Sequence, residues 1–316
     1  MATTGKEQAL ENLRMVLTGA RPRAKSTIVD YLSKARKFLN WLPHDPPPDD
    51  MDLHRYFAEQ RHNGIGEGTL TSTYTVLKKL YSANRWPWPL GREDRPEPPK
   101  EPQTPAFRPE QVEELILNCG EYSDAERFYL ALSTTYGMRR EELARVKRKD
   151  IREGKILVRT AKKGPQRWHL IPAEIMPAVR GYRVKEHQVR AMSAMFQRIC
   201  RKGLGQRMPG YGWHSIRRTL LTLLPMELAK KGMDPSLAAH YLRWSRRTIG
   251  VAFFGTAMAG VYARPEILDW DEHGIDRLIF EVHPFLKVWR RVWPESGDEK
   301  LAPESKSEGF SGRGNI

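Results

Sequence analysis

The sequence predicts a mainly α-helical protein with one small β-hairpin, divided into two domains, and three observations carry that prediction. Apolar residues recur at intervals of three and four along most of the 316-residue chain, the spacing of one helix face. Between Lys155 and Ile171 the pattern changes to two short runs, KILVRT and RWHLIP, around a polar AKKGPQ turn, which reads as two strands of a hairpin. Residues 91–106, GREDRPEPPKEPQTPA, carry proline and charge with almost no large apolar side chain, so they read as a semi-extended linker.

Taken in order, residues 1–24 show little apolar periodicity and predict a loose arm or a short helix. From Ser26 the positions Ile28, Leu32, Ala35, Leu39 and Leu42 make an amphipathic helix, with Ser26 or Thr27 as N-cap and Pro43 as its stop. HDPPPDD is a stiff turn; a second helix carries Leu53, Tyr56 and Phe57, and a third places Leu70, Tyr74, Leu77 and Tyr81 on one stripe. Residues 1–92 are thus expected to form a small helical domain, with the linker at 93–106 and a second domain over 107–293. That second domain opens with a helix carrying Pro109 in its first turn. A helix over 124–136 stops at Gly137, and a short one follows whose Leu143 and Val146 face inward. After the hairpin, helices are expected over 173–186, 188–201, 214–230 (kinked at Pro225), 235–243 and 274–293. The last is more apolar than a terminal helix needs, which fits docking on a second subunit and packing on its own domain equally. Residues 294–316 have little to bury and are expected to be disordered.

With 53 Lys and Arg against 38 Asp and Glu, the net charge is +15, which favours a polyanionic partner, nucleic acid foremost. Cys119 and Cys200 lie far apart and outside any CxxC pair, so neither a disulfide framework nor a zinc site is indicated. With neither a signal-peptide core nor an apolar run of membrane-spanning length, the chain is expected to be soluble and intracellular, cytoplasmic or encoded by a virus or mobile element.

Several residues in the second domain have a chemical reading beside a bland one. WHSIRRT puts His214 and Arg217 one helical turn apart, within reach of a single small anion. Arg139 precedes Glu142 by three residues, a spacing that also suits a structural ion pair. Lys162 and Lys163 sit in the hairpin turn, where lysines are ordinarily just solvated. The indole of Trp244 can donate to a phosphate oxygen or simply pack. Tyr262 is one tyrosine among 11.

As an ordered set these residues resemble the tyrosine recombinase, or phage integrase, family. YGMRREELARVKRKDI is similar to the family's first arginine box and puts Arg139 at its arginine. AKKGPQRWHLIP resembles the lysine hairpin, with Lys163 ahead of Lys162, and HSIRRT resembles the H-x-x-R-H-T box, carrying over His214 and Arg217. Leu242-Arg243-Trp244 falls where the family has LGH or its Trp variant, and TAMAGVYARP resembles the nucleophile segment, pointing to Tyr262. There are departures: Arg218 stands where a second histidine is usual, Arg243 where a glycine is usual, and the step from Trp244 to Tyr262 is about twice the customary spacing.

The resemblance implies a helical DNA-binding domain and a catalytic domain closing as a C-shaped clamp around double-stranded DNA, with self-assembly to a dimer or tetramer on it. It implies a site-specific recombinase working through a 3′-phosphotyrosyl intermediate without metal or nucleotide cofactor. A topoisomerase of type IB and a DNA-binding member that no longer cuts are the other outcomes of the same boxes.

Overall fold

The computed structural model describes residues 5–19, 22–97, 104–160, 165–185, 187–245, 248–249, 251–252 and 273–293. The chain divides into two compact units, Met1–Gln103 and Thr104–Ile316, each with its own hydrophobic core.

The first unit holds α1 (Gly5–Thr18), α2 (Lys25–Trp41), α3 (Asp50–His62) and α4 (Glu67–Asn84). The stretch expected as a loose arm or short helix is a 14-residue helix, buried through Ala9, Leu13 and Leu17. Its stripe is hard to see in the sequence because Met15 and Val16 lie on the opposite, exposed face. α2 begins at Lys25 behind Ala24, with no side-chain cap, so neither Ser26 nor Thr27 serves as the N-cap. It ends at Trp41, as Leu42 turns extended ahead of Pro43. α3 starts with a reciprocal capping box: Asp49 Oδ1 accepts from the Asp52 N–H at 2.8 Å, and Asp52 Oδ2 from the Asp49 N–H at 3.0 Å. After α4 the chain folds back: Trp86 and Trp88 meet the Tyr81 ring edge-on and Leu90 is buried. Part of the proline-rich stretch stays with this unit, since Tyr74 donates to the Gly91 carbonyl and Thr71 to that of Pro96.

The second unit is built around α6 (Asp124–Tyr136), buried at every residue from Phe128 to Tyr136. A Ser123–Glu126 capping box starts it and Gly137, left-handed at φ 55°, ends it. Two buried polar groups of α6 are met by side chains from around it, whereas the Ser133 and Thr135 hydroxyls find no partner among the described residues. Thr135 O accepts from Tyr241 at 3.0 Å and from His283 at 3.0 Å, and Thr134 Oγ1 accepts from the Trp289 indole at 2.9 Å. Around α6 lie α5 (Pro109–Leu117), α7 (Arg140–Ala144), α8 (Met176–Arg180), α9 (Val189–Gly203), α10 (Trp213–Lys230) and α11 (Ser236–Tyr241). α12 (Gly274–Val282) and α13 (Leu286–Val292) follow towards the C-terminus.

The sheet is antiparallel and three-stranded, in the order β1 (Ile151–Arg152), β2 (Lys155–Val158), β3 (Arg167–Leu170). Its β2–β3 pair, in register from Lys155↔Leu170 to Val158↔Arg167, is the expected hairpin, and β1 is a two-residue addition. α10 continues through Pro225.

Two helical expectations are corrected. In place of the helix expected over 173–186, the described residues form only a 3₁₀ turn and α8, which ends at Arg180. Residues 274–293 form two helices because Pro284 lacks an N–H and pushes His283 to an extended conformation. Ile279 of α12, Phe285 between the two helices and Trp289 of α13 are fully buried in their own unit's core, while Leu278 is exposed. No described helix is long and apolar enough to cross a membrane.

Candidate active site

The C-terminal end of α6 delivers the chain to the site. Gly137 turns left-handed there, and a Cβ at this position would lie 2.7 Å from Leu242 Cδ2 and 3.5 Å from Arg217 Cγ. A glycine is therefore required twice, by its backbone and by the close approach of α10 and the end of α11. Arg139 follows as the N-cap of α7. Glu142, in the first turn of α7 and fully buried, takes the Arg139 N–H on Oε2 at 2.9 Å and the Arg139 guanidinium on Oε1 at 2.8 Å.

α10 supplies Arg217. Its start is fixed by Trp213, whose indole donates to the Met192 carbonyl at 2.8 Å and whose ring meets Phe196 edge-on. One turn later the Arg217 guanidinium is fully buried, donating to Gly137 O at 2.7 Å and to Leu242 O. No carboxylate among the described residues forms an ion pair with it. Burial first, then the neighbouring positive charges of Arg243 and Arg139, pull its pKa well below the ordinary arginine value, opposed by Glu142. A buried cation solvated by neutral carbonyls is a receptor for an anion, because an anion beside it removes the penalty that burial imposes.

Arg243 completes the cluster and was visible in the sequence only as a departure from the glycine of the family pattern. It is buried, left-handed at φ 60°, and reaches Glu142 Oε2 at 3.4 Å and Tyr136 O at 3.0 Å through Nη2. Its Nη1 faces His169 Nε2 at 3.2 Å. His169 lies on β3 and its Nδ1 faces Asp276 Oδ1, on α12, at 2.9 Å. Burial drives the His169 pKa down to about 4, against the pull of Asp276, so the ring is neutral at pH 7. The partners then fix the tautomer: Nδ1–H donates to Asp276 and Nε2 accepts from Arg243. Two opposing effects set Glu142. Burial raises its pKa, but Arg243 and then Arg139 outweigh it and hold the carboxyl at about 2.

His214 is exposed at the second position of α10, one turn ahead of Arg217. Trp244, directly after Arg243, is half-buried against the core and donates its backbone N–H to Ala239 O at 2.9 Å. Arg218, despite its place beside Arg217, points elsewhere and donates to the Thr104 carbonyl. Tyr241, the tyrosine nearest the family's nucleophile segment in sequence, is fully buried with its hydroxyl on Thr135 O; burial raises its pKa well above the usual phenol value. Lys162, Lys163 and Tyr262 lie outside the described residues.

Neither a protein-family model nor a curated protein matches the sequence. Solved structures do. A lambda integrase dimer bound to a COC' core site aligns at a TM-score of 0.59 with 18% identity, over 84% of this chain and 78% of that one. Tn1549 transposon integrase in complex with transposon right end DNA aligns at 0.55 with 16% identity, over 82% and 99%. XerH recombinase bound to palindromic difH substrate aligns at 0.54 with 14% identity, over 85% and 97%. The chain has the tyrosine recombinase fold. Within that fold Arg139, Arg217 and the Leu242–Trp244 turn, spread over about a hundred residues of sequence, converge on the end of α6.

The first unit carries a second polar feature. A cleft of about 950 Å³ is lined by Arg23, Lys78, Lys79, Arg92 and Arg95 together with four hydroxyl-bearing side chains, and by no carboxylate. The overall positive charge of the sequence did not point to this cleft, which forms where Arg92 and Arg95 fold back beside α4.

Proposed function

We propose that the protein is a site-specific DNA recombinase that cuts and rejoins strands through a 3′-phosphotyrosyl intermediate. The observation that carries this reading is the buried Arg217, solvated by two backbone carbonyls and set beside Arg139, in a chain with the tyrosine recombinase fold.

In this reading Arg139 and Arg217 hold the two non-bridging oxygens of the scissile phosphate and stabilise the charge that grows in the pentacoordinate transition state. Their field also favours tyrosinate at Tyr262, whose phenol, with an ordinary pKa of about 10, is otherwise a poor nucleophile. Tyr262 Oη attacks phosphorus and the bond to the 5′-oxygen breaks. His214 helps remove the tyrosine proton or donates to a non-bridging oxygen, and Lys163 protonates the departing 5′-oxygen, which leaves as a hydroxyl. Trp244 holds the phosphate by its indole N–H and by packing. A 5′-hydroxyl of another strand reverses the step, so the bond energy is conserved in the covalent enzyme and no cofactor is consumed.

The cleft of the first unit suits the same partner. Five cations without a carboxylate among the lining residues are fitted to phosphates. Assembly into a dimer or tetramer on DNA belongs to this proposal, because strand exchange needs two sites held together.

A nicked suicide duplex tests the reading. After denaturation, protein is expected to remain covalently attached to DNA, and Tyr262→Phe to abolish the adduct. A preparation that binds DNA but forms none is a binding protein. Exchange between two sites distinguishes a recombinase from a topoisomerase, which reseals without exchange.

A further inference from the structure

Arg243 is an arginine in a conformation and an environment that both disfavour it. A left-handed φ of 60° costs a residue with a Cβ about 1 kcal/mol, and its guanidinium is wholly buried. What it gains lies on two sides. Towards the site, Nη2 reaches Glu142 Oε2, the same oxygen that takes the Arg139 N–H. Away from the site, Nη1 is held by His169 Nε2 at 3.2 Å and Tyr241 O at 3.3 Å, and His169 is anchored in turn on Asp276. Only Nε finds no acceptor among the described residues.

Glu142 therefore lies between two guanidiniums. Were it paired with Arg139 alone, the pair would be neutral as felt by a phosphate, and the carboxylate would be free to pull the Arg139 fork inward. With Arg243 on its other side the trio carries a net positive charge and Glu142 cannot swing.

We propose that Arg243 is a positioning residue, which by clamping Glu142 from behind holds the Arg139 guanidinium in place and leaves its charge available to the anion. This rests on the recombinase reading for the identity of that anion, the scissile phosphodiester. Arg243 acts through Glu142 and touches no reacting atom. Among the described residues the charged groups facing Glu142 are Arg139 ahead of α7, Arg217 from α10 and Arg243 after α11, with Glu141 beside it on α7. The arrangement links α12, through Asp276 and His169, to the arginine that begins α7.

The test is a double-mutant cycle on the full chain, read as two separate quantities: affinity for an uncut DNA duplex, and the rate of adduct formation on the suicide duplex at saturating protein. Arg243→Met is expected to slow adduct formation about thirtyfold while changing duplex affinity by no more than about threefold. Glu142→Gln is expected to slow it as well. The double variant should be no slower than the slower single one, because both remove the same clamp. Arg243→Lys, which keeps the charge but not the fork, should fall between Arg243→Met and the wild type. Losses that multiply in the double variant, or an Arg243→Met rate equal to wild type, would overturn the proposal. If Arg243→Met does not fold by circular dichroism, Arg243→Lys replaces it in the cycle with the same criteria. A wild type that forms no adduct removes the recombinase reading but not this one. Calorimetric affinity for inorganic phosphate, blanked with Arg217→Met, should then weaken about tenfold in Arg243→Met, and an unchanged affinity would contradict the clamp.

Discussion

Arg217 and Gly137 show what a single residue decides here. Both hydrogen bonds that the Arg217 guanidinium makes among the described residues end on carbonyls, Gly137 O and Leu242 O, whose separation depends on there being no Cβ at 137. Gly137→Ala is accordingly expected to destabilise the second unit by at least about 2 kcal/mol, from the left-handed backbone and the clash with Leu242. Urea unfolding should show this loss, while Gly64→Ala, left-handed but with nothing near its Cβ, costs the first unit only about 1 kcal/mol. Equal losses would mean that the close approach is unimportant. At this scale YGMRREEL and HSIRRT mark Arg139 and Arg217 as candidates in the sequence. The Arg243–Glu142–His169–Asp276 chain was not legible there, because its members come from a turn, a short helix, a strand and α12, up to 134 positions apart, and none belongs to a local pattern.

Among the elements, α6 organises the second unit, and its buried polar groups make neighbouring histidines depend on staying neutral. His283 accepts the Phe285 N–H on Nδ1 and donates from Nε2 to Thr135 O, so a second ring proton has no acceptor in this arrangement. Burial lowers its pKa from 6.5 to about 4. Between these values the unfolded chain binds a proton that the folded one does not. Stability from this group is thus complete above pH 6.5 and falls by about 1.4 kcal/mol per pH unit as pH drops towards 4. His169 adds a slope of the same sign. His283→Gln should lower the midpoint at pH 7 yet remove about one proton equivalent from the pH dependence of stability; an unchanged slope would mean that His283 is not held neutral. Most helices were readable from their three-and-four periodicity and proline or glycine stops. α1 was obscured by Met15 and Val16 on its solvent face, and the division of α12 from α13 was missed although Pro284 marks it.

For the whole molecule, the excess of 15 positive charges is the property the sequence makes plainest, and the structure concentrates part of it in the cleft of the first unit. If Lys78 and Lys79 each neutralise a phosphate, replacing both by Gln reduces the slope of log affinity against log salt by about 2. A lowered affinity with an unaltered slope would remove the cleft from the DNA interface. Along the chain the two cores are joined by a proline-rich, charge-rich stretch whose first residues belong to the first unit.

In the proposed reaction this chain becomes joined to DNA through Tyr262 while Arg139 and Arg217 hold the phosphate. Mass spectrometry of the peptide left on a digested suicide-duplex adduct identifies the residue that makes the bond. The expected peptide contains Tyr262, attached through a 3′-phosphate, and is formed by the wild type and about a hundredfold more slowly by Arg217→Met. Attachment through another residue, or DNA binding without any covalent peptide, would contradict it.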